Sequence, residues 1–209
     1  MPLESELAAE EELQEAEALL EGGDSDAALD KLQAALQADP KNEVARFDLV
    51  KALLERQDLG AAREAFAPVA AQAADTLIPH PRFAALAAWM GCGEAAQDAP
   101  AAAALQDAIA ANKRDFEARF LLAQCLAWSG RFTEAMDELL EIVMRDKAWN
   151  EQAARKLYVA LLEILTPLQP KAAAGKEPVG KVQLTGHAAT QPANPVVDSY
   201  RRKLSMALF

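Results

Sequence analysis

The sequence predicts an all-α protein, an α-solenoid of about four helix pairs followed by two further C-terminal helices. Three observations carry this. Leu and Ala dominate a composition that is 52% hydrophobic, while Val, Ile and Thr are few and no run alternates over strand length. Apolar residues recur at helical spacing along most of the chain. One pattern also returns in register: Ala45-Arg46-Phe47-Asp48-Leu49 matches Ala118-Arg119-Phe120-Leu121-Leu122 at an offset of 73, and at that offset Leu53 falls on Leu126, Ala62 on Ala135 and Phe66 on Leu139.

The clearest unit is Asp115–Asn150. Phe116, Phe120, Leu122, Ala123 and Leu126 make one apolar face, and Phe132, Ala135, Met136, Leu139, Leu140, Ile142 and Val143 make another. Ser129-Gly130 joins them, and glycine closes a helix and reverses the chain at little steric cost. A helix–turn–helix of about 34 residues, with small residues where the helices cross, is a tetratricopeptide (TPR) unit. A close-packed alanine is expected at Ala28, Ala62, Ala101 and Ala135, at spacings of 34, 39 and 34, so the third unit carries an insertion. A second small position recurs at Ala35 and Ala108. The expected units are about 9–42, 43–76, 77–115 and 116–149, with a further helix to 166.

In chain order, the first helix runs from about Ser5, a candidate cap, to Glu21, with Leu7, Leu13, Ala16, Leu19 and Leu20 inward. Gly22-Gly23 ends it, and Asp24 or Ser25 caps the second, Asp26–Ala38, which stops before Pro40. The second unit is Asn42–Gln57 plus Leu59–Ala74, kinked at Pro68. In the third, a short helix from Pro79 through Met90 gives way to a turn around Gly91-Cys92-Gly93, and Ala99–Ala111 is its partner, with Trp89 filling the gap that partner leaves. After the fourth unit comes Asn150–Leu165, with Trp149 packing back on the preceding helix. Residues 167–194, with several Pro and Gly and no periodic apolar face, read as a flexible loop or insert. A final helix, 195–209, places Val196, Val197, Tyr200, Leu204, Ala207 and Leu208 on one stripe, expected on the preceding helix. Arg202, Met206 and Phe209 form a second stripe without an internal partner.

Charge is unevenly placed. Residues 1–30 hold 11 Asp or Glu and no Lys or Arg, so the net charge of -11 comes from the first helix, its turn and the start of the second. An acidic chain without a basic stripe argues against nucleic acid as a partner. No stretch approaches the roughly 18 apolar residues of a membrane span, and the acidic amphipathic start is neither signal nor transit peptide, so a soluble, cytoplasmic protein is expected. Cys92 and Cys125 form no CxxC pair, and His80 and His187 sit in Pro-rich segments without a carboxylate or nucleophile nearby. Cys125 reads as a small buried hydrophobe and Cys92 as a turn residue. No catalytic, cofactor or metal constellation is expected.

The segments WNEQAARKLYVALLEIL at 149–165 and SYRRKLSMALF at 199–209, behind LLAQCLAWSGRFTEAMDELLEIVMRD and with ARFDL and ARFLL, resemble the C-terminal TPR region of the thioredoxin-like co-chaperones called YbbN or CnoX (chaperedoxins). The resemblance covers nearly the whole chain. Members of that family begin with a thioredoxin domain of roughly a hundred residues, typical of one domain. Here Met1-Pro2 runs straight into the first helix, which suggests a piece of a longer protein or a natural standalone relative, and a Trp-Cys-x-x-Cys-like segment is absent. The resemblance implies a holdase that shields unfolding proteins during oxidative stress and passes them to the GroEL chaperonin. It implies docking through the C-terminal helix, here Tyr200, Arg201, Arg202, Met206 and Phe209.

Stacked helix pairs make a concave surface lined by first helices, and such surfaces bind proteins. Arg46, Asp48, Lys51, Arg119 and Gln124 are the candidate groove residues, with Phe47 and Phe120 expected in the core. A non-catalytic interaction module of a co-chaperone is the first expectation. A generic scaffold that captures a peptide, and a thiol-dependent redox protein acting through Cys92, are the alternatives.

Overall fold

The structure, a computed structural model, describes residues 4–75, 77–78, 80–167 and 194–209. Nearly all of the expected loop 167–194, and the first three residues, lie outside them. Among the described residues every regular element is helical. The order is α1 (Glu4–Glu21), α2 (Ser25–Ala38), α3 (Glu43–Glu55), α4 (Leu59–Phe66), a 3-10 turn (Ala67–Val69), α5 (Ala70–Ala73), α6 (Pro81–Gln97), α7 (Ala102–Ala111), α8 (Phe116–Trp128), α9 (Phe132–Arg145), α10 (Trp149–Leu165) and α11 (Pro195–Leu208).

The repeat is written in its caps. Asn42 and Asp115, 73 residues apart, each accept the backbone N–H three residues on and start α3 and α8. Asp24 and Asp58, 34 apart, do the same for α2 and α4. Between the helices of a unit the chain reverses through a left-handed residue, Gly23, Gln57 or Gly130, at φ 82°, 61° and 78°. Gln57 holds this conformation without being glycine, and its side-chain amide donates to the Trp128 carbonyl of α8 at 3.3 Å.

Ala28, Leu32, Ala35, Ala62, Phe66, Ala135, Leu139 and Ile142 are buried, as the register requires. Ala101 is not: it is the exposed residue before α7, and Leu105 and Ile109 make that helix's buried contacts. Leu7 is also exposed, with Ala9 taking the inward place on α1, and Ser5 lies inside the helix rather than capping it. Pro68 does more than kink its helix. Lacking an N–H and clashing with the preceding turn, it ends α4 and forces the 3-10 turn.

The third unit departs furthest from expectation. Gly91-Cys92-Gly93 is not a turn; α6 runs through it to Gln97. Two glycines cost a helix roughly 1 kcal/mol each, and burial of Met90, Cys92 and Gly93 offsets that. A Cβ on Gly93 would stand 2.9 Å from the Trp128 ring, so the glycine is what admits the indole. Trp89 likewise packs on the fourth unit, its ring edge-on to Phe132 at 5.0 Å and its Nε1 donating to the Ala127 carbonyl at 3.0 Å. Helix α6 therefore packs on α3, α5, α8 and α10, while α7 lies chiefly against α8.

At the start of α10, Asn150, Glu151 and Gln152 all have left-handed dihedrals, so regular helix begins after them. Trp149 stands against the Phe120 and Phe116 rings of α8, at 5.3 and 6.2 Å. Helix α11 buries Val197, Tyr200 and Leu204, lying more on α9 than on α10; Val196 is exposed. It runs parallel to α9: Tyr200 Oη donates to Asp137 Oδ2 and Lys203 Nζ to Asp137 Oδ1, both at 3.0 Å, and further along Lys147 Nζ donates to the Leu208 carbonyl at 2.7 Å.

Candidate functional site

Because α6 reaches α10 as well as α8, three helices enclose an open groove of about 710 Å³, a size ordinary for a binding site. Helix α6 contributes Pro81, Ala84, Ala85, Ala88 and Gly91; α8 contributes Phe120 and Gln124. Helix α10 contributes Gln152, Ala153, Arg155, Lys156, Leu157, Val159, Ala160 and Glu163. The α6 wall is all small residues, and a Cβ on Gly91 would meet nothing within 4 Å. Val159 is 48% exposed there, a large apolar side chain left in solvent.

The five groove residues expected from sequence divide sharply. Gln124 lines the groove. Arg46 and Arg119 do share one repeat position, but each is structural. Arg46 reaches back to the Ala65 and Pro40 carbonyls at 3.0 Å, and Arg119, 6% exposed, pairs with Glu138 of α9. Both cross from the first helix of a unit to a residue 19 further on in the second. Lys51 pairs with Glu55 at 3.4 Å on α3. Asp48 is partly buried on α3, and burial pushes its carboxyl up to about 6 against the pull of Lys51 and Arg82. Phe47 is core, with the Arg82 guanidinium 3.6 Å over its ring. Phe120, expected in the core, packs against it half-buried and also lines the groove.

On α11, Tyr200 is buried and its carbonyl accepts the Tyr158 hydroxyl at 2.8 Å, so it holds the helix rather than a partner. Arg201 donates to Thr166 Oγ1 at 3.1 Å and lies 3.7 Å from Asp198. Arg202, Met206 and Phe209 are the outward residues; Met206 is 73% exposed and Phe209 wholly so.

The Cys92 side chain has no access to solvent, and burial pushes its thiol up to about 12. A thiolate nucleophile is therefore not present there at neutral pH. His80, expected to be isolated, stacks on Phe83 at 4.2 Å, accepts the Phe83 N–H at its Nδ1, and has its Nε2 3.4 Å from a Glu43 oxygen. Among the described residues no group of three His, Cys, Asp or Glu side chains is set to hold a metal, and no helix is long and apolar enough to cross a membrane.

Sequence reasoning missed the groove because it ended α6 at Met90, which removes Gly91 from the wall. The signal was present: Ala84, Ala88 and Gly91, at i, i+4 and i+7, make one face too small to fill a core.

Two tetratricopeptide-repeat family models match the chain, one over residues 19–90 and one over 95–182. No curated protein matches. A solved structure, a domain of a Vibrio parahaemolyticus protein of unknown function, is 22% identical over 96% of this chain and 99% of its own, at a TM-score of 0.38, too low to carry an argument. Repeats of this kind build protein-binding scaffolds. The helix pairs, their shared caps and the two matches together support an all-α array of tetratricopeptide-type helix pairs.

Proposed function

We propose that the chain is a non-catalytic holding module that takes apolar stretches of other polypeptides into the α6–α8–α10 groove. The observation that carries this is the groove itself, where Val159 is exposed and Phe120 and Ala160 are half-buried on a helical frame. Apolar surface on this scale favours capture of partly unfolded chains over small polar molecules. The test is binding of reduced, carboxymethylated lactalbumin, a chain held unfolded. The wild type binds it, and Gly91→Trp, whose side chain grows into open space in the groove, loses binding with its helicity unchanged. Binding unaltered in that variant rejects the reading.

The resemblance to chaperedoxins adds a finer reading, a co-chaperone that docks on a GroEL-type chaperonin. Exposed Arg202, Met206 and Phe209 on α11 favour it, since large apolar groups beside a guanidinium are typical of contact surfaces. Replacing all three with Ala is expected to weaken co-sedimentation with the chaperonin, and unchanged co-sedimentation rejects docking through this face.

A further inference from the structure

Two cations on the rim of the groove have no carboxylate partner among the described residues. The chain carries 32 acids against 21 Lys and Arg, yet these two adjacent cations stand at one end of an apolar groove. Lys31, Arg63, Arg119 and Lys203 each find an acid on a neighbouring helix. Arg155 instead donates to the neutral Gln152 Oε1 at 3.1 Å, and Lys156 makes no hydrogen bond or ion pair with the described residues. The one acid in the wall, Glu163, lies two turns away and is felt by Arg82 of α6, which lowers that end's net charge. The groove thus has an apolar bed and one distinctly positive end.

Resting on the groove reading above, we infer that its occupant is a segment of a partner protein that combines apolar residues with carboxylates. The apolar side chains lie on Phe120, Val159 and Ala160, and the acids meet Arg155 and Lys156. From Arg155 to Glu163 the helix rises about 12 Å, the reach of roughly four extended residues. The segment is therefore short, and its acids belong at one end. Both cations are solvent-exposed, so their effect is a preference that salt weakens.

The probes are three fluorescein-labelled peptides, LLAELLEE, LLAKLLKK and SSAESSEE, read by anisotropy at low and high salt. The wild type binds LLAELLEE about tenfold more tightly than LLAKLLKK, as two rim pairs allow, and SSAESSEE not measurably. Arg155→Glu with Lys156→Glu reverses the order of the first two, and Gly91→Trp abolishes both. Equal binding of LLAELLEE and LLAKLLKK, unmoved by the double charge reversal, overturns the acid preference and leaves the groove reading standing. Binding of LLAELLEE that survives Gly91→Trp overturns both. Self-association in sedimentation velocity that the charge reversal abolishes makes the acidic helix α1 of a second copy the occupant, and overturns a partner protein in that role.

Discussion

The Trp128 ring stands 2.9 Å from where a Cβ on Gly93 would be, so the third and fourth units meet at a contact only glycine permits. Two residues earlier Gly91 has nothing within 4 Å of that point. The two glycines of one helix therefore respond oppositely to the same change. Gly93→Ala is expected to destabilise by about 1–3 kcal/mol through overpacking. Gly91→Ala is expected to stabilise by about 0.5–1 kcal/mol, because Ala loses less backbone freedom in a helix. Urea unfolding of the two variants measures both, and equal effects would refute the contact.

Arg119 is tied to Glu138 inside the fourth unit, not offered to a partner. Arg119→Ala leaves a partly buried carboxylate unpaired and is expected to cost about 1–3 kcal/mol. Peptide affinity should hold once the variant is measured below its unfolding temperature. A large loss of affinity with no loss of stability would put Arg119 back in the groove.

Asp48 links stability to pH. Its carboxyl is held up at about 6 in the folded chain, chiefly by burial, so the folded state holds a proton that the unfolded state releases near 4. The unfolded state binds fewer protons between those values, so stability falls as pH rises through that window. Below about pH 4 both states are protonated and the contribution is whole; above about 6 it is lost. Asp48→Asn should remove this fall and leave the variant more stable at pH 7 by about 1–2 kcal/mol. A stability difference from wild type that stays constant from pH 4 to 7 would contradict it.

Burial of Cys92 predicts its thiol chemistry. In the native protein iodoacetamide should label Cys125, which is partly exposed, far faster than Cys92. In urea the two should react alike. Rapid native labelling of Cys92, read by peptide mass, would reopen a redox role.

Much of the fold was legible because repeated local rules agree with the packing. Asp24, Asn42, Asp58 and Asp115 cap helices where the sequence pattern starts them, and Gly23 and Gly130 turn the chain where it stops. The site was less legible because it depends on helices far apart in sequence. Gly91-Cys92-Gly93 reads locally as a turn, and only the Trp128 ring from α8 makes it helix. Arg46 and Arg119 were placed at one repeat position, but a shared position says nothing of direction, and both point at their own second helix. The alanine register failed at Ala101 because α7 leaves its own unit and packs on α8.

The central claim is that polypeptide is held between α6, α8 and α10. Hydrogen exchange of the intact chain, with and without carboxymethylated lactalbumin, tests it most directly. The account predicts slowed exchange concentrated in peptides spanning 81–97, 116–128 and 152–165, with α1, α2 and α4 unchanged. Protection confined to α1 and α2, or to α11 alone, would contradict it.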